Sequence, residues 1–293
     1  MTRPVTLALT CILAGCGRQV PAPTGGVSVT DMAGRTVVVT PHPARIVSAA
    51  PACTEILFAI GAGDAVVGVT TFCTYPPEAQ SRPKIGQFGP ETLSFETVLG
   101  LRPDLVFAAP GTQDPFIAAV QRNSLPVVAV DARSFDEVYR AIELVGTATG
   151  HADRGKELGD SMRKRVAAVA ARPIAMRPRV FYLLDDPLRT VGPKTFIGEM
   201  IHLAGGDNVF DDVAQLYPAV SEEELIRRNP EVIVVPRGVG HTVDVEALLA
   251  RPAWRTVDAA KNKRVIYLDQ DVASRAGPRL ADALEQLADG LRK

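Results

Sequence analysis

Short apolar runs alternate with amphipathic segments along most of the chain. The runs are rich in Val and Ile, are bounded by Gly or Pro, and have the length of buried strands. They cover residues 45–49, 65–70, 104–108, 127–131, 179–184, 231–235 and 264–269. Continuous apolar strands separated by helices predict parallel sheets that are covered by helices on both faces. Residues 27–39 differ, because their pattern predicts a hairpin that turns near Ala33 and Gly34.

Two pairs of segments resemble each other within the chain. Residues 93–107 read LSFETVLGLRPDLVF, and residues 220–234 read VSEEELIRRNPEVIV. In both, a Ser opens an amphipathic stretch, and Pro with an acid closes it before an apolar run. A second pair in the same order reads EILFAIGAGDAVVG from Glu55 and EMIHLAGGDNVF from Glu199. These repeats predict two lobes built on one plan, at 27–133 and 174–293, with a cleft between them.

The segment 134–173 separates the two predicted lobes. It begins with the capping box SFDE at Ser134, passes Gly150, and resumes a helical pattern from Ala152 to about Ala171. We interpret it as a long, rigid interdomain helix that would restrict hinge closure; packing of the whole helix on one lobe is the alternative. The predicted fold class is therefore α/β, with two Rossmann-like lobes and parallel-rich sheets joined by this helix.

The first residues predict export. Residues 1–15 contain the basic Arg3, an apolar run and small residues before Cys16, which is the layout of a secretory signal. The ending LAGC resembles a bacterial lipoprotein processing site and implies that Cys16 is lipidated; an ordinary signal peptide with an incidental Cys is the alternative. Residues 16–26 are rich in Pro and Gly and suit a flexible tether. We expect a protein of the periplasm or cell surface that is anchored to the membrane.

Composition and missing motifs exclude several classes. The chain has 293 residues, 46% of them hydrophobic, and a formal net charge of -1, which fits a globular body of two domains without a basic surface for nucleic acid. The motifs GxSxG and HExxH, a Cys/His cluster, a phosphate loop and a dinucleotide fingerprint are absent, so we expect no enzyme activity, metal site or cofactor. Beyond the leader, Cys53 and Cys73 could form a disulfide in an oxidising compartment; two small, semi-buried thiols are the alternative.

Several ordered motifs resemble one known family over nearly the whole mature length. Residues 31–80 read DMAGRTVVVTPHPARIVSAAPACTEILFAIGAGDAVVGVTTFCTYPPEAQ, and later motifs read FETVLGLRPDLVFA, TFIGEMIHLAGGDNVF, VSEEELIRRNPEVIVV, KNKRVIYLD and RAGPRL. They resemble the helical-backbone substrate-binding proteins of ABC importers, which deliver cobalamin, haem or ferric siderophores to a membrane permease. Residues 70–79 (TTFCTYPPEA) are most similar to the cobalamin-binding branch.

The resemblance implies a monomeric binding protein that captures cobalamin between its lobes and delivers it to a permease dimer in the cytoplasmic membrane. A ferric siderophore or haem is the alternative ligand. Haem usually requires a His or Tyr axial ligand, for which Tyr217 and His241 are the candidates.

Loops after strand ends supply the candidate ligand contacts, because open α/β sheets bind ligands there. The aromatic candidates are Phe72, Tyr75, Phe88 and Tyr217. The resemblance implies that Phe72, Phe88 and Tyr217 face the corrin, since aromatic faces suit a large flat macrocycle; a core or loop-anchoring role is the alternative.

Two polar residues and one Trp complete the candidates for the cleft. Asp185 and Arg275 are candidates for amide or carboxylate groups of a ligand, and for Arg275 the alternative is a structural role at backbone carbonyls. The single Trp, Trp254, lies in RPAWRTVD, which predicts a surface helix or turn.

Two acids have equivalent places in the first pair of repeats. Glu96 and Glu223 both lie near a predicted helix N-terminus, where the helix dipole favours a carboxylate for purely structural reasons. The resemblance implies that one Glu at the tip of each lobe docks onto a basic residue of a two-fold permease. The neighbours Glu222 and Glu224 could take the place of Glu223.

Overall fold

The computed structural model describes residues 25–89, 91–185, 188–238 and 243–293. The predicted signal sequence and the lipidation site Cys16 lie outside the described residues, as does most of the predicted tether. None of the helices within these ranges is both long and apolar enough to cross a membrane.

Three sheets form in the described residues. The predicted hairpin is confirmed, because β1 (Val27–Thr30) and β2 (Thr36–Val39) pair antiparallel. The other strands are β3 (Ile46–Ser48), β4 (Val66–Val69), β5 (Leu105–Ala108), β6 (Val127–Ala129), β7 (Arg179–Tyr182), β8 (Asp207–Asn208), β9 (Val232–Arg237) and β10 (Val265–Asp269).

Two parallel four-stranded sheets build the two lobes. The N-terminal sheet has the order β4-β3-β5-β6, and the C-terminal sheet has the order β10-β9-β7-β8. Every residue of β3, β5 and β6 is buried, as expected for strands covered on both faces. The predicted α/β class with parallel-sheet lobes is therefore confirmed.

The sequence pattern predicts every strand except β8. This strand has only two residues and pairs with Arg179 and Val180 at the edge of the sheet. Two residues are too few for a periodic pattern, so only the second pair of repeats, which aligns GGDNVF with AGDAVV at the start of β4, indicates a strand here.

Helices cover the sheets, and six of those in the described ranges begin after a residue whose side chain caps the helix. They are α1 (Pro51–Ala59), α2 (Pro77–Gln80), α3 (Phe95–Gly100), α4 (Asp114–Arg122), α5 (Phe135–Ala148), α6 (Ala152–Ala170), α7 (Phe196–Ala204), α8 (Glu222–Arg228), α9 (Val245–Ala250), α10 (Asp258–Lys261), α11 (Gln270–Ala273) and α12 (Leu280–Leu291). The side chains of Ser94, Ser134 and Ser221 each accept a hydrogen bond from the backbone N–H three residues further on.

The interdomain segment consists of two antiparallel helices, of which α6 is the longer with 19 residues. Gly150 adopts a positive φ of 75° in the turn between them. Along the pair, Gly146 faces Gly155, and the guanidinium of Arg163 lies over the ring of Tyr139. Because α5 packs on α1 and β1 while α6 packs on α7 and α12, the pair joins the two lobes. The lobe limits at 133 and 174 stay predictions.

One hydrophobic cluster extends through both lobes and the helix pair. It includes Ile56 of α1, Ile142 of α5, Met162 of α6 and Leu284 of α12. The packing is therefore continuous from one lobe through the helix pair to the other.

The outer face of the C-terminal sheet has its own cluster, which contains Trp254. The indole is fully buried in a 3-10 helix (Pro252–Thr256), and its Nε1 donates to Glu222. The predicted surface helix is confirmed, because the residues on either side of Trp254 are exposed, but the ring itself packs into the cluster on that sheet.

Candidate functional site

Most predicted ligand residues lie beyond the carboxyl ends of the parallel strands. In the N-terminal lobe, β4 ends at Val69, shortly before Phe72 and Tyr75. In the C-terminal lobe, β7 ends at Tyr182, shortly before Asp185. Because open α/β sheets bind ligands at this edge, the loops define the candidate site.

Exposure distinguishes three aromatic residues from all the others. Phe72 is 50% exposed, Tyr75 is 43% exposed and Tyr217 is 44% exposed. Every other Phe, Tyr and Trp of the chain lies in the described residues and is buried or half-buried. Exposed aromatic rings that recur at one edge of a protein are typical of a binding surface.

The loop that carries Phe72 and Tyr75 is anchored at its centre. Cys73 is buried, and its Sγ lies 3.0 Å from Thr54 Oγ1 and 3.2 Å from Thr70 Oγ1. The guanidinium of Arg279 lies over the ring of Tyr75, 4.0 Å from the centroid. The two aromatic side chains therefore extend from a backbone with a defined position.

Phe88 differs from the exposed aromatics. Its side chain is half-buried against the main core, and its carbonyl accepts a 2.9 Å hydrogen bond from Gln113 Nε2. The same amide nitrogen donates to Ala49 O at 2.9 Å, so Gln113 fixes the Phe88 loop to the carboxyl end of β3. Contact between Phe88 and a ligand stays a prediction.

Tyr217 lies within the electrostatic reach of the opposite lobe. Burial raises the pKa of its hydroxyl, the charge of Asp131 raises it further, and that of Arg133 lowers it. Both charged residues follow β6 in the N-terminal lobe. The backbone on either side of Tyr217 is fixed, since Leu216 O and Pro218 O accept hydrogen bonds from Gly192 N and Thr190 N. The other predicted axial ligand of haem, His241, lies outside the described residues.

Asp185 closes a short turn in the C-terminal lobe. Arg189 N donates to Asp185 O at 3.0 Å, and the Arg189 guanidinium lies 3.3 Å from the Asp185 carboxylate. Both side chains are about half exposed, which leaves the pair accessible to polar groups. Its role toward a ligand stays a prediction.

Arg275 lies at the boundary between the lobes, and its side chain is only 11% exposed. Its guanidinium donates to Phe72 O at 2.8 Å and to the carboxylate of Glu55 at 3.1 Å. The hydrogen bond to Phe72 O is a contact with a backbone carbonyl, which is the structural role that the sequence allows for Arg275 as the alternative to ligand binding. Glu55 and Arg279, which complete this cluster, are not among the residues that the sequence singles out for a site.

The structure contains no disulfide between Cys53 and Cys73, which corrects the pairing considered from the sequence. Both thiols are free and fully buried. Cys53 lies among apolar side chains, where burial and then the neighbouring Cys73 raise the pKa of its thiol. The Cys73 sulfur contacts two threonine hydroxyls instead.

Glu96 and Glu223 occupy the same position on their helices. Ser94 caps α3 and Ser221 caps α8, so each Glu is the second residue of its helix. Both acids are exposed. Their positions therefore correspond on the two lobes, as their places in the repeats predict.

The neighbours of Glu223 have partners in their own lobe. Glu222 accepts from Trp254 Nε1, and Glu224 binds Arg227 and Arg228 with distances of 2.6 Å to each. Among the described residues, no ion pair is formed by Glu223. Of the three acids, Glu223 is thus the one whose charge is available to another molecule.

Other features of the described residues add no chemistry to the site. A cavity of about 630 Å³ lies in the N-terminal lobe between the β1–β2 turn, the loop after β5 and α5, and it includes none of the candidate aromatics. Within the described ranges, no group of three or more His, Cys, Asp or Glu side chains could hold a metal ion.

Comparison with known proteins identifies the class that this fold and site define. The sequence profile of the periplasmic binding protein family matches residues 46–272, so the chain belongs to that family. Its relatives are substrate-binding proteins of ABC importers, a family that contains vitamin B12-binding, heme-binding and iron-binding members. The members of this family are transport substrate-binding proteins and not enzymes.

Three relatives illustrate the range of the family. The chain is 31% identical to an uncharacterized ABC transporter substrate-binding lipoprotein, YvrC, of Bacillus subtilis, over 96% of this chain and 93% of the relative. The structure of the periplasmic vitamin B12-binding protein of Vibrio cholerae matches with a TM-score of 0.73 at 29% identity, over 85% of this chain and 97% of that one. A periplasmic heme-binding protein from Roseiflexus matches with a TM-score of 0.74 at 32% identity, over 84% and 97%.

Proposed function

We propose that the protein captures cobalamin between its two lobes and delivers it to the permease of an ABC importer. The proposal includes a lipid anchor at Cys16, a position outside the cell's cytoplasmic membrane and a monomeric state. The relative from Bacillus subtilis is described as a lipoprotein, which supports the anchor.

The exposed aromatics carry this proposal. Phe72, Tyr75 and Tyr217 are the exposed members of an otherwise buried aromatic set, and they lie on loops of both lobes. Rings from two sides suit a large flat macrocycle, because they bury its faces and lose little conformational entropy. The Asp185–Arg189 pair adds polar groups that match the amide groups at the edge of a corrinoid.

Some relatives of this chain are named as cobalamin-binding proteins, and others are named for different ligands. A protein of Halobacterium salinarum that is 31% identical over 90% of this chain is described as cobalamin-binding. Heme-binding proteins are equally similar in structure. Tyr217 is 44% exposed, and its phenol oxygen would suit an axial ligand of haem, so haem or a ferric siderophore is the second candidate.

For delivery, we propose that Glu96 and Glu223 bind basic residues on the two halves of a permease dimer. Their corresponding positions on the two lobes suit a partner with two-fold symmetry. Charge pairs between proteins fix orientation and accelerate encounter. The internal partners of Glu222 and Glu224 support the choice of Glu223.

Calorimetric titration of the purified protein with cyanocobalamin, haem and a ferric hydroxamate siderophore tests the ligand. We expect saturable one-to-one binding of cyanocobalamin alone. Phe72→Ala and Tyr217→Ala should each weaken it about tenfold, because an aromatic contact contributes about 1 kcal/mol beyond its buried area.

Met176→Ala is the control, since Met176 is 79% exposed and lies between α6 and β7 rather than beyond a strand's carboxyl end. This variant should bind as the wild type does. Binding of haem or siderophore instead of cyanocobalamin would replace the proposed ligand, and binding of none of the three would contradict the whole ligand class.

A further inference from the structure

A buried carboxylate joins the lobes at a second place, independent of the α5–α6 pair. Glu55 lies on α1 in the N-terminal lobe, and its side chain is 2% exposed. Arg279 donates to it through Nε at 2.9 Å and through Nη2 at 2.6 Å, and Arg275 donates through Nη1 at 3.1 Å. Both arginines belong to the C-terminal lobe, so one carboxylate binds two guanidinium groups across the lobe boundary.

The same arginines hold the loop that carries the exposed aromatics. Arg275 Nη2 donates to Phe72 O at 2.8 Å and to Thr74 Oγ1 at 3.0 Å. Arg279 covers one face of Tyr75. Guanidinium groups present donors in a rigid, planar fork, so these contacts define both the position and the orientation of the loop.

A second acid balances the charge of the cluster. Asp271 on α11 lies 2.8 Å from Arg275 Nη2 and accepts a 2.8 Å hydrogen bond from Thr74 Oγ1. The side chains of Arg275 and Arg279 are 11% and 19% exposed. Such desolvated charges are stable only while their partners stay in place, which means that the cluster requires the lobes to remain in contact.

We propose that Glu55, Arg275 and Arg279 form an interlobe clamp that positions the 72–75 loop and thereby sets the affinity for the ligand. The three are positioning residues, and the aromatic side chains of the loop make the ligand contact. The part that concerns affinity rests on the proposed function. The clamp and the α5–α6 pair tie the lobes together at two places, so the loop keeps one position with and without ligand.

Hydrogen exchange measured by mass spectrometry on the purified protein tests the clamp without any ligand. Glu55→Gln removes the charge but keeps the size of the side chain. We expect amide exchange to accelerate about tenfold in peptides that cover 70–76 and 271–279, because both segments lose their shared anchor.

Asp31→Asn is the matched control for loss of a buried, arginine-bound carboxylate within one lobe. Asp31 has a side-chain exposure of 0% and binds Arg35 at 2.6 Å. This variant should leave exchange in both peptides unchanged. Thr74→Val is a second test, which remains informative if Glu55→Gln fails to fold. Thr74 is exposed, and this variant loses only the hydroxyl contacts with Asp271 and Arg275. It should accelerate exchange in the 70–76 peptide.

Titration with cyanocobalamin then tests the effect on affinity. We expect Glu55→Gln to weaken binding about tenfold while Asp31→Asn binds as the wild type does. Unchanged exchange in both Glu55→Gln and Thr74→Val would overturn the clamp, and faster exchange with unchanged affinity would overturn its role in binding. If the wild type does not bind cyanocobalamin, the proposed ligand fails, but the exchange result still decides whether the clamp exists.

Discussion

A single buried carboxylate, Asp31, fixes the entry of the chain into the N-terminal lobe. It accepts hydrogen bonds from Ala33 N at 3.0 Å, Arg35 N at 2.9 Å and Ala129 N at 3.1 Å, and from the Arg35 guanidinium. Burial alone would raise the pKa of this carboxyl, but the hydrogen bonds from Arg35 and Ala129 outweigh it and lower the pKa of Asp31 from the ordinary 3.8. The residue thus links the hairpin turn to β6.

Asp31→Asn should lower the free energy of unfolding by about 2–3 kcal/mol at neutral pH, because Arg35 loses its partner and the backbone donors lose an anion. The pKa of Asp31 is lower in the folded state, so the carboxylate stabilises fully above about pH 4 and loses this effect as the pH falls through the folded-state value. Urea unfolding at neutral and acidic pH measures the difference between wild type and variant. The difference in the free energy of unfolding between wild type and Asp31→Asn should become smaller in acid. The control Asp211→Asn, at an exposed position, should have nearly the wild-type free energy of unfolding at either pH. A difference that persists unchanged in acid would contradict the assignment.

At the scale of single residues, the sequence predicts where a side chain lies when its place depends on a neighbouring element. The places of Phe72 and Tyr75 can be predicted, because they follow a predicted strand, whereas Tyr217 is singled out by the resemblance and lies just before the second repeat. The contact between Glu55 and Arg275 cannot be predicted, because the two residues are 220 positions apart, although Glu55 opens one of the repeats and Arg275 is itself a candidate for the cleft. The burial of the Trp254 ring likewise cannot be predicted from the exposed segment around it, because it depends on packing against the C-terminal sheet.

At the scale of elements, α5 and α6 approach so closely that glycine is needed between them. A Cβ placed on Gly155 would lie 3.0 Å from Ile142 O and 3.2 Å from Gly146 Cα, both of which are backbone atoms. Gly159, one turn further along α6, is different. A Cβ there would lie 3.5 Å from Arg163 and 3.6 Å from Glu143, at ordinary contact distance.

Gly155→Ala should therefore destabilise the protein by about 1 kcal/mol, because the helix backbones must separate to admit the methyl group. Gly159→Ala should stabilise it by about 0.5–1 kcal/mol, because alanine loses less backbone entropy in a helix and meets no obstacle. Urea unfolding of the two variants measures both changes. The close approach of the helices would be refuted if the two substitutions were equally stabilising.

An element can be predicted from the sequence when the interaction that forms it is local, and not when it depends on distant residues. The helix starts at Ser94, Ser134 and Ser221 are visible because capping is a local interaction. The pairing of α5 with α6 is not, since the contact between Gly146 and Gly155 depends on the turn at Gly150. Cys53 and Cys73 both follow predicted strands, which allows a disulfide, but sequence position does not reveal that the Cys73 sulfur contacts two threonine hydroxyls.

At the scale of the whole molecule, the repeats in the sequence correspond to two lobes with matching surfaces. α3 and α8 each begin with a capping Ser and present an exposed Glu as their second residue. Within the described part of the chain, these acids form no hydrogen bond or ion pair with the aromatic loops or with the Glu55 cluster. Ligand capture and permease docking should therefore be separable by mutation.

Reversal of both charges, by Glu96→Lys with Glu223→Lys, should leave cyanocobalamin affinity intact and abolish transport. Two attractive charge pairs become repulsive at once, and single close pairs between proteins have couplings of about 1.5–7 kcal/mol. Calorimetry of the purified protein measures affinity, and cobalamin uptake by cells that depend on this protein measures transport.

Glu91→Lys with Glu246→Lys is the matched control, because it reverses one exposed acid in each lobe with the same change in net charge. Salt screens surface charges, so an effect of overall charge would be strongest at low ionic strength; the control should transport normally even there. Equal loss of affinity and transport in the first variant would contradict docking by these residues. Loss of transport in both variants would mean that the net charge of the protein, and not these two residues, determines transport.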